Sequence, residues 1–165
     1  MDKMLQRLVD QGVMPESFGE YIENALENKD SFIISGHKGW GILPLMAGVS
    51  AAAKSKFSIK QVKKEEDLSD SADYYIIGDL KIDDFEKLVV DSISKPETAT
   101  ITIKDPEHAY SIMKVLKAFY KATDDSSKTF QVLECAKIND EKKLVKITTM
   151  TFDESGKLSK KDLNA

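Results

Sequence analysis

Apolar positions along the chain follow two rhythms: helical spacing near the N-terminus, then short continuous runs separated by helical stretches. Between Lys3 and Val9, Met4, Leu5, Leu8 and Val9 share one helical face, and Gly12 follows as a C-terminal cap. Pro15 opens a second helix through Phe18, Tyr21, Ile22, Ala25 and Leu26, which Asn28-Lys29-Asp30 ends. Ser31-Phe32-Ile33-Ile34-Ser35 is a β-branched apolar run that predicts a buried strand. It leads directly into Gly36-His37-Lys38-Gly39-Trp40-Gly41, and the stretch from Leu43 to Ala53 predicts a helix with Pro44 in its first turn.

The same alternation continues. A short strand is predicted over Phe57 to Val62, with a solvated turn region to Asp70. Tyr74 to Asp79 predicts a second apolar strand ending on its acid. Phe85 to Ile93 predicts a helix, Thr98 to Ile103 a strand, Glu107 to Tyr120 an amphipathic helix and Thr123 to Lys128 a polar loop. Phe130 to Ile138 and Lys143 to Phe152 alternate as a hairpin around Asn139-Asp140. Strands separated by helices predict an α/β fold of three α/β/α layers, with a mostly parallel central sheet and a C-terminal antiparallel hairpin. Phe32 to Ser35 and Tyr74 to Gly78 are its expected central strands. One domain over 1–165 is expected: N-terminal helices over 1–30, an α/β core over 31–120 and C-terminal strands over 121–165.

Composition narrows the function classes. With 41% hydrophobic and 32% charged residues, the 165-residue chain is ordinary for a globular protein. The net charge is −4, with both signs scattered, which argues against nucleic acid as a partner. No apolar run approaches the ~20 residues of a membrane span, and the N-terminus lacks the apolar centre of a signal peptide. The lone Cys135 excludes an intrachain disulfide. A cytoplasmic protein without direct membrane insertion is the expectation. Of the 24 basic residues only Arg7 is arginine, so few means exist of gripping phosphate in a planar, bidentate way.

A strand, a glycine-rich turn and a helix in that order are the context of a phosphate-binding loop, where backbone N–H groups converge on phosphate oxygens at a helix N-terminus. Gly36, Gly39 and Gly41 have the spacing GxxGxG. A working loop continues with a lysine for the β- and γ-phosphates and a Ser or Thr for Mg²⁺. Here Ile42 and Leu43 stand in those places, and neither donates a hydrogen bond or holds a cation. The degenerate nucleotide-binding segment is therefore Gly36, His37, Lys38, Gly39, Trp40, Gly41, Ile42 and Leu43.

These residues carry a family resemblance. Leu5 to Leu26 followed by FIISGHKGWG resembles the start of the ATPase domain of type II and type IV secretion ATPases, in particular the Flp/Tad pilus-assembly branch of the P-loop NTPases. Ala72 to Leu80 resembles that family's Walker B segment, with Asp79 at the Walker B-like acid, and Thr100 to Met113 resembles its histidine-box segment. Leu144 to Ile147 resembles part of its final hairpin. The departures are systematic. Asp79 replaces a glutamate, Lys104 falls where the histidine box has its histidine, and the stretch between loop and Asp79 is too short for the family's acidic box and arginines.

The resemblance thus implies a noncatalytic, pseudo-ATPase domain: a bacterial, cytoplasmic subunit or adaptor of a secretion, pilus or conjugation system. Its expected partners are proteins, namely the secretion or pilus machinery, an active ATPase or a second copy of itself. No catalytic residue, cofactor or metal is expected; ATP and magnesium enter only under the alternative of a residual nucleotide sensor or weak ATPase in which Lys38 and Asp79 still act. A further alternative is an unrelated adaptor whose glycine loop is only a tight turn. Lys38 is read as a solvated turn residue, His108 as a surface residue and Cys135 as a small core residue, while His37 and Trp40 are read as local packing, with partner contact as the alternative. Ile42 and Leu43 are both expected to point into the core.

Overall fold

Asp2 starts the first helix by accepting hydrogen bonds from the Met4 and Leu5 backbone N–H groups, and α1 runs over Lys3–Asp10. In the computed structural model, which describes residues 1–165, α2 follows over Glu16–Glu27 and β1 over Ser31–Ser35. A short 3₁₀ turn at Lys38–Trp40 precedes α3, Ile42–Lys54. Then come β2 (Ile59–Gln61), β3 (Tyr74–Ile76), α4 (Phe85–Ile93), β4 (Ala99–Lys104) and α5 (Ile112–Thr123). Three strands close the chain: β5 (Thr129–Ile138), β6 (Glu141–Phe152) and β7 (Leu158–Asn164).

All seven strands form one sheet in the order β2-β3-β4-β1-β5-β6-β7. The first five are parallel; β6 and β7 are antiparallel. The mixed α/β class, the mostly parallel sheet and the antiparallel hairpin expected from the sequence are present. Phe32 stands between Ile101 of β4 and Gln131 of β5, and Tyr74 to Ile76 pair with β4, so both expected strands lie inside one sheet. β1 is buried over its first four residues, as a strand covered on both faces should be.

Helices follow from the crossovers. From β1 the chain passes over β4 and β3 to reach β2, whereas β3 to β4 and β4 to β5 run the other way. Right-handed crossovers place α3 on one face and α4 with α5 on the other. Contacts agree: α3 packs with α1 and α2, and α4 packs with α5. The core is one cluster spanning the sheet and both helical groups. Cys135 lies in it, and burial pushes its thiol up to about 12, so it behaves as a small apolar residue.

Three elements depart from expectation. α5 begins at Ile112 rather than near Glu107, because Asp105-Pro106 starts a turn and the Ser111 hydroxyl caps the helix by accepting from Lys114 N–H. The strand containing Tyr74 ends at Ile76 rather than Asp79, although Ile77 N–H still donates to Ile101 O at 3.0 Å. The seventh strand, β7, was not anticipated. Its residues KKDLN are exposed and carry no apolar alternation, so pairing with β6 alone makes them a strand.

Candidate functional site

In an open parallel sheet, ligands bind outside the carboxyl ends of strands where neighbouring connections leave to opposite faces. Here that place is the end of β1 and β4: β1 sends its chain to the α3 face, β4 to the α5 face. Three segments meet there: residues 36–41 after β1, 78–81 after β3 and 105–110 after β4.

The glycine loop folds back on the protein. Gly36 N–H donates to Lys104 O at 3.0 Å, Trp40 N–H to His37 O at 2.9 Å and Gly41 N–H to Lys38 O at 3.3 Å. These donors are engaged within the chain instead of converging on an anion. Gly36, with φ 148°, leaves no room for a side chain: a Cβ there would lie 3.0 Å from Cys135 O and 3.2 Å from Ile42 Cγ2. Gly41 is left-handed at φ 95° and lies beneath Lys142 near the tip of the β5–β6 hairpin. Trp40 packs against the core and meets exposed His37 edge-on, with ring centroids 4.2 Å apart. Gly39 has open space around it.

Ile42 is fully buried under the first turn of α3, but Leu43 is exposed at 36%. The expectation that both point inward is corrected: consecutive helical positions differ by about 100°, so only one faces the sheet.

Lys38 is partly exposed on its turn, as expected, but it is not a free lysine. Its Nζ lies 2.9 Å from Asp79 Oδ2 and 3.2 Å from Glu107 Oε2. Lys81 pairs with Glu107 and stands 3.8 Å from Asp79 Oδ1. Lys38 beside it holds the Asp79 carboxyl below the usual range, and in return Asp79 raises the Lys38 ammonium. Lys81 and Lys38 together bring the Glu107 carboxyl down to about 2. A phosphate arriving at Lys38 would meet the negative charge of Asp79 and Glu107 beside it. Lys104 ends β4, where its carbonyl receives the Gly36 N–H, and its side chain joins no ion pair.

His108, expected at the surface, is buried at 6% exposure, so that expectation is corrected. Its Nδ1 lies 2.8 Å from Asp105 Oδ1, its Nε2 2.7 Å from Leu80 O and 3.6 Å from Asp79 Oδ1, and its ring rests on Phe85. The buried Asp105 also accepts the His108 backbone N–H. The tertiary fold thus gathers Asp79, Asp105 and His108 into a group with metal-ligand composition. Two histidines far apart in sequence gave no ligand spacing, and the partners of His108 come from two different strand ends. The one local signal was Asp105-Pro106 with a histidine close behind, the pattern of a tight Asx turn.

No helix is long and apolar enough to cross a membrane. No family model matches the chain, and no curated protein matches it.

Proposed function

We propose that this chain is a noncatalytic domain, a nucleotide-loop scaffold whose phosphate site is closed by its own side chains and whose role is protein assembly. The observation that carries this reading is the Lys38–Asp79 ion pair at 2.9 Å. It couples the only lysine of the loop to the acid at the Walker B-like position, so each neutralises the charge a Mg-nucleotide would need from the other. The N–H groups of Gly36, Trp40 and Gly41, bonded within the chain, and the buried Ile42 support the same conclusion. Transition-state stabilisation in phosphoryl transfer rests on placed positive charge and Mg²⁺, and a single missing stabiliser costs roughly 3 kcal/mol. Here the lysine that would follow the last loop glycine, the Mg²⁺ ligand and the arginines are all missing: Ile42 and Leu43 stand in the first two places.

The ordered resemblance to secretion ATPases supplies the setting we propose: a cytoplasmic subunit or adaptor of a bacterial secretion, pilus or conjugation machine, with proteins as partners. The crevice position of Lys38 favours one second reading, a nucleotide sensor without turnover. Isothermal titration with Mg-ATP and a phosphate-release assay test both. Neither binding nor release above buffer is the expected result. Turnover lost in Lys38→Ala would overturn the proposal, and micromolar binding without turnover, also lost in Lys38→Ala, would put the sensor first.

A further inference from the structure

We propose that Asp79, Asp105 and His108 form a site for one first-row divalent transition cation of the zinc type. One donor atom from each residue lies within 4.8 Å of the others. Bonds of about 2.0–2.2 Å to imidazole nitrogen and carboxylate oxygen, set at tetrahedral angles, put donors ~3.3–3.6 Å apart, so the widest pair must close by up to about 1 Å to complete the site.

Two observations point to a missing positive charge. Asp105 Oδ2 is buried without any hydrogen-bond partner, and the Asp105 side chain has no exposed surface. A buried carboxylate oxygen in that state is costly unless a cation or a water faces it. The second observation is the imidazole. Leu80 O can only accept, so at 2.7 Å it takes the Nε2 hydrogen. In neutral His108 this turns the Nδ1 lone pair onto Asp105 Oδ1 at 2.8 Å, an oxygen that already accepts the backbone N–H of His108. Two lone pairs at that separation require a proton or a metal beside them. A ring N–H held by a backbone carbonyl is also the arrangement that orients a metal-binding imidazole through its other nitrogen.

The neighbouring charges permit this occupant. Lys38 takes Asp79 Oδ2, leaving Oδ1 at 3.6 Å from His108 Nε2, from where it must swing toward Nδ1 to join the ion. Lys81 reaches toward that Oδ1 from 3.8 Å on a largely exposed side chain, and a divalent ion would displace it. Mixed imidazole and carboxylate donors favour zinc-like ions over magnesium. The site needs no nucleotide, so it stands or falls separately from the closed phosphate loop.

The test titrates Zn²⁺ alone into chelator-stripped full chain by calorimetry, with ¹⁵N NMR of the histidine rings. The chain has two histidines, and exposed His37 serves as the internal reference. The expected result is one Zn²⁺ per chain, a metal shift on His108 Nδ1 with the Nε2 hydrogen retained, and affinity at least ~10-fold weaker in Asp79→Asn. His37→Gln should bind as the unaltered chain does. His108→Gln would remove a buried side chain and can unfold the protein, so the decision rests on Asp79→Asn and the ring signals. Absence of saturation at millimolar Zn²⁺, a shift on His37 instead of His108, or unchanged affinity in Asp79→Asn would overturn the proposal.

Discussion

Lys38 Nζ and Asp79 Oδ2, 2.9 Å apart, join the loop after β1 to the loop after β3 across the carboxyl end of the intervening β4. Neither side chain is deeply buried, at 31% and 28% exposure, so the pair contributes little to folding by itself. Its consequence is positional: the crevice where a parallel sheet of this order would receive a ligand is bridged by the protein's own charges.

Acid should open this bridge in a defined window. Glu107 is held down to about 2 by Lys81 and Lys38, and Asp79 is depressed by Lys38. A carboxylate depressed in the folded state contributes its stabilisation fully above its unfolded pKa and loses it as pH falls through the folded one. Urea melts of the unaltered chain and Glu107→Gln should therefore differ by a constant amount from neutral pH to about pH 5, with the difference shrinking below that and vanishing only below about pH 2. The difference should be small and should fall with added salt, since the pair is exposed. A difference that grows toward acid would contradict the assignment.

The three loop glycines should not be equivalent. Gly36→Ala forces a Cβ to within 3.0 Å of Cys135 O at φ 148°, and a loss of about 1–3 kcal/mol is expected. Gly39→Ala meets nothing within 4 Å and should stay within about 0.5 kcal/mol of the unaltered protein. Chemical denaturation of both variants measures this. A loop shaped to cradle phosphate would show its sensitivity in ligand binding at Gly39, not in stability at Gly36.

Introducing the residues of a working phosphate-binding loop should damage the fold on one side only. Ile42 is fully buried and Leu43 is 36% exposed. Ile42→Lys puts an ammonium into an apolar site and should cost about 3 kcal/mol or more. Leu43→Thr should change stability by no more than about 0.5 kcal/mol. The double variant is expected to bind no Mg-ATP in calorimetry, because Asp79 and Glu107 still hold Lys38. Micromolar binding at unchanged stability would mean that the loop can form a phosphate pocket.

Much of the scaffold is written locally. The β-branched run Ser31 to Ser35, the apolar Tyr74 to Ile77 and the TATITI segment each carry enough apolar surface to require a buried strand, and the helical spacing between them imposes crossovers and a parallel sheet. Gly36, Gly41 and Ile42 likewise announce a turn into a helix that lacks phosphate ligands. β7 could not be read this way: Lys160, Lys161 and Asp162 have no periodicity, and only the free edge of β6 supplies their hydrogen bonds.

The site was legible in its parts and not in its assembly. Lys38 and Asp79 were each visible as candidates, but their pairing depends on β4 lying between β1 and β3, a strand order that no local pattern encodes. His108 looked like a surface histidine because it reads as lying early in an amphipathic helix, whereas its burial comes from Phe85 and Leu80 on segments more than twenty residues away. Propensity and periodicity act over a few residues and so fix elements and their apolar faces. Which charges meet is decided by the order in which the strands pair, and that order is a property of the packed sheet as a whole.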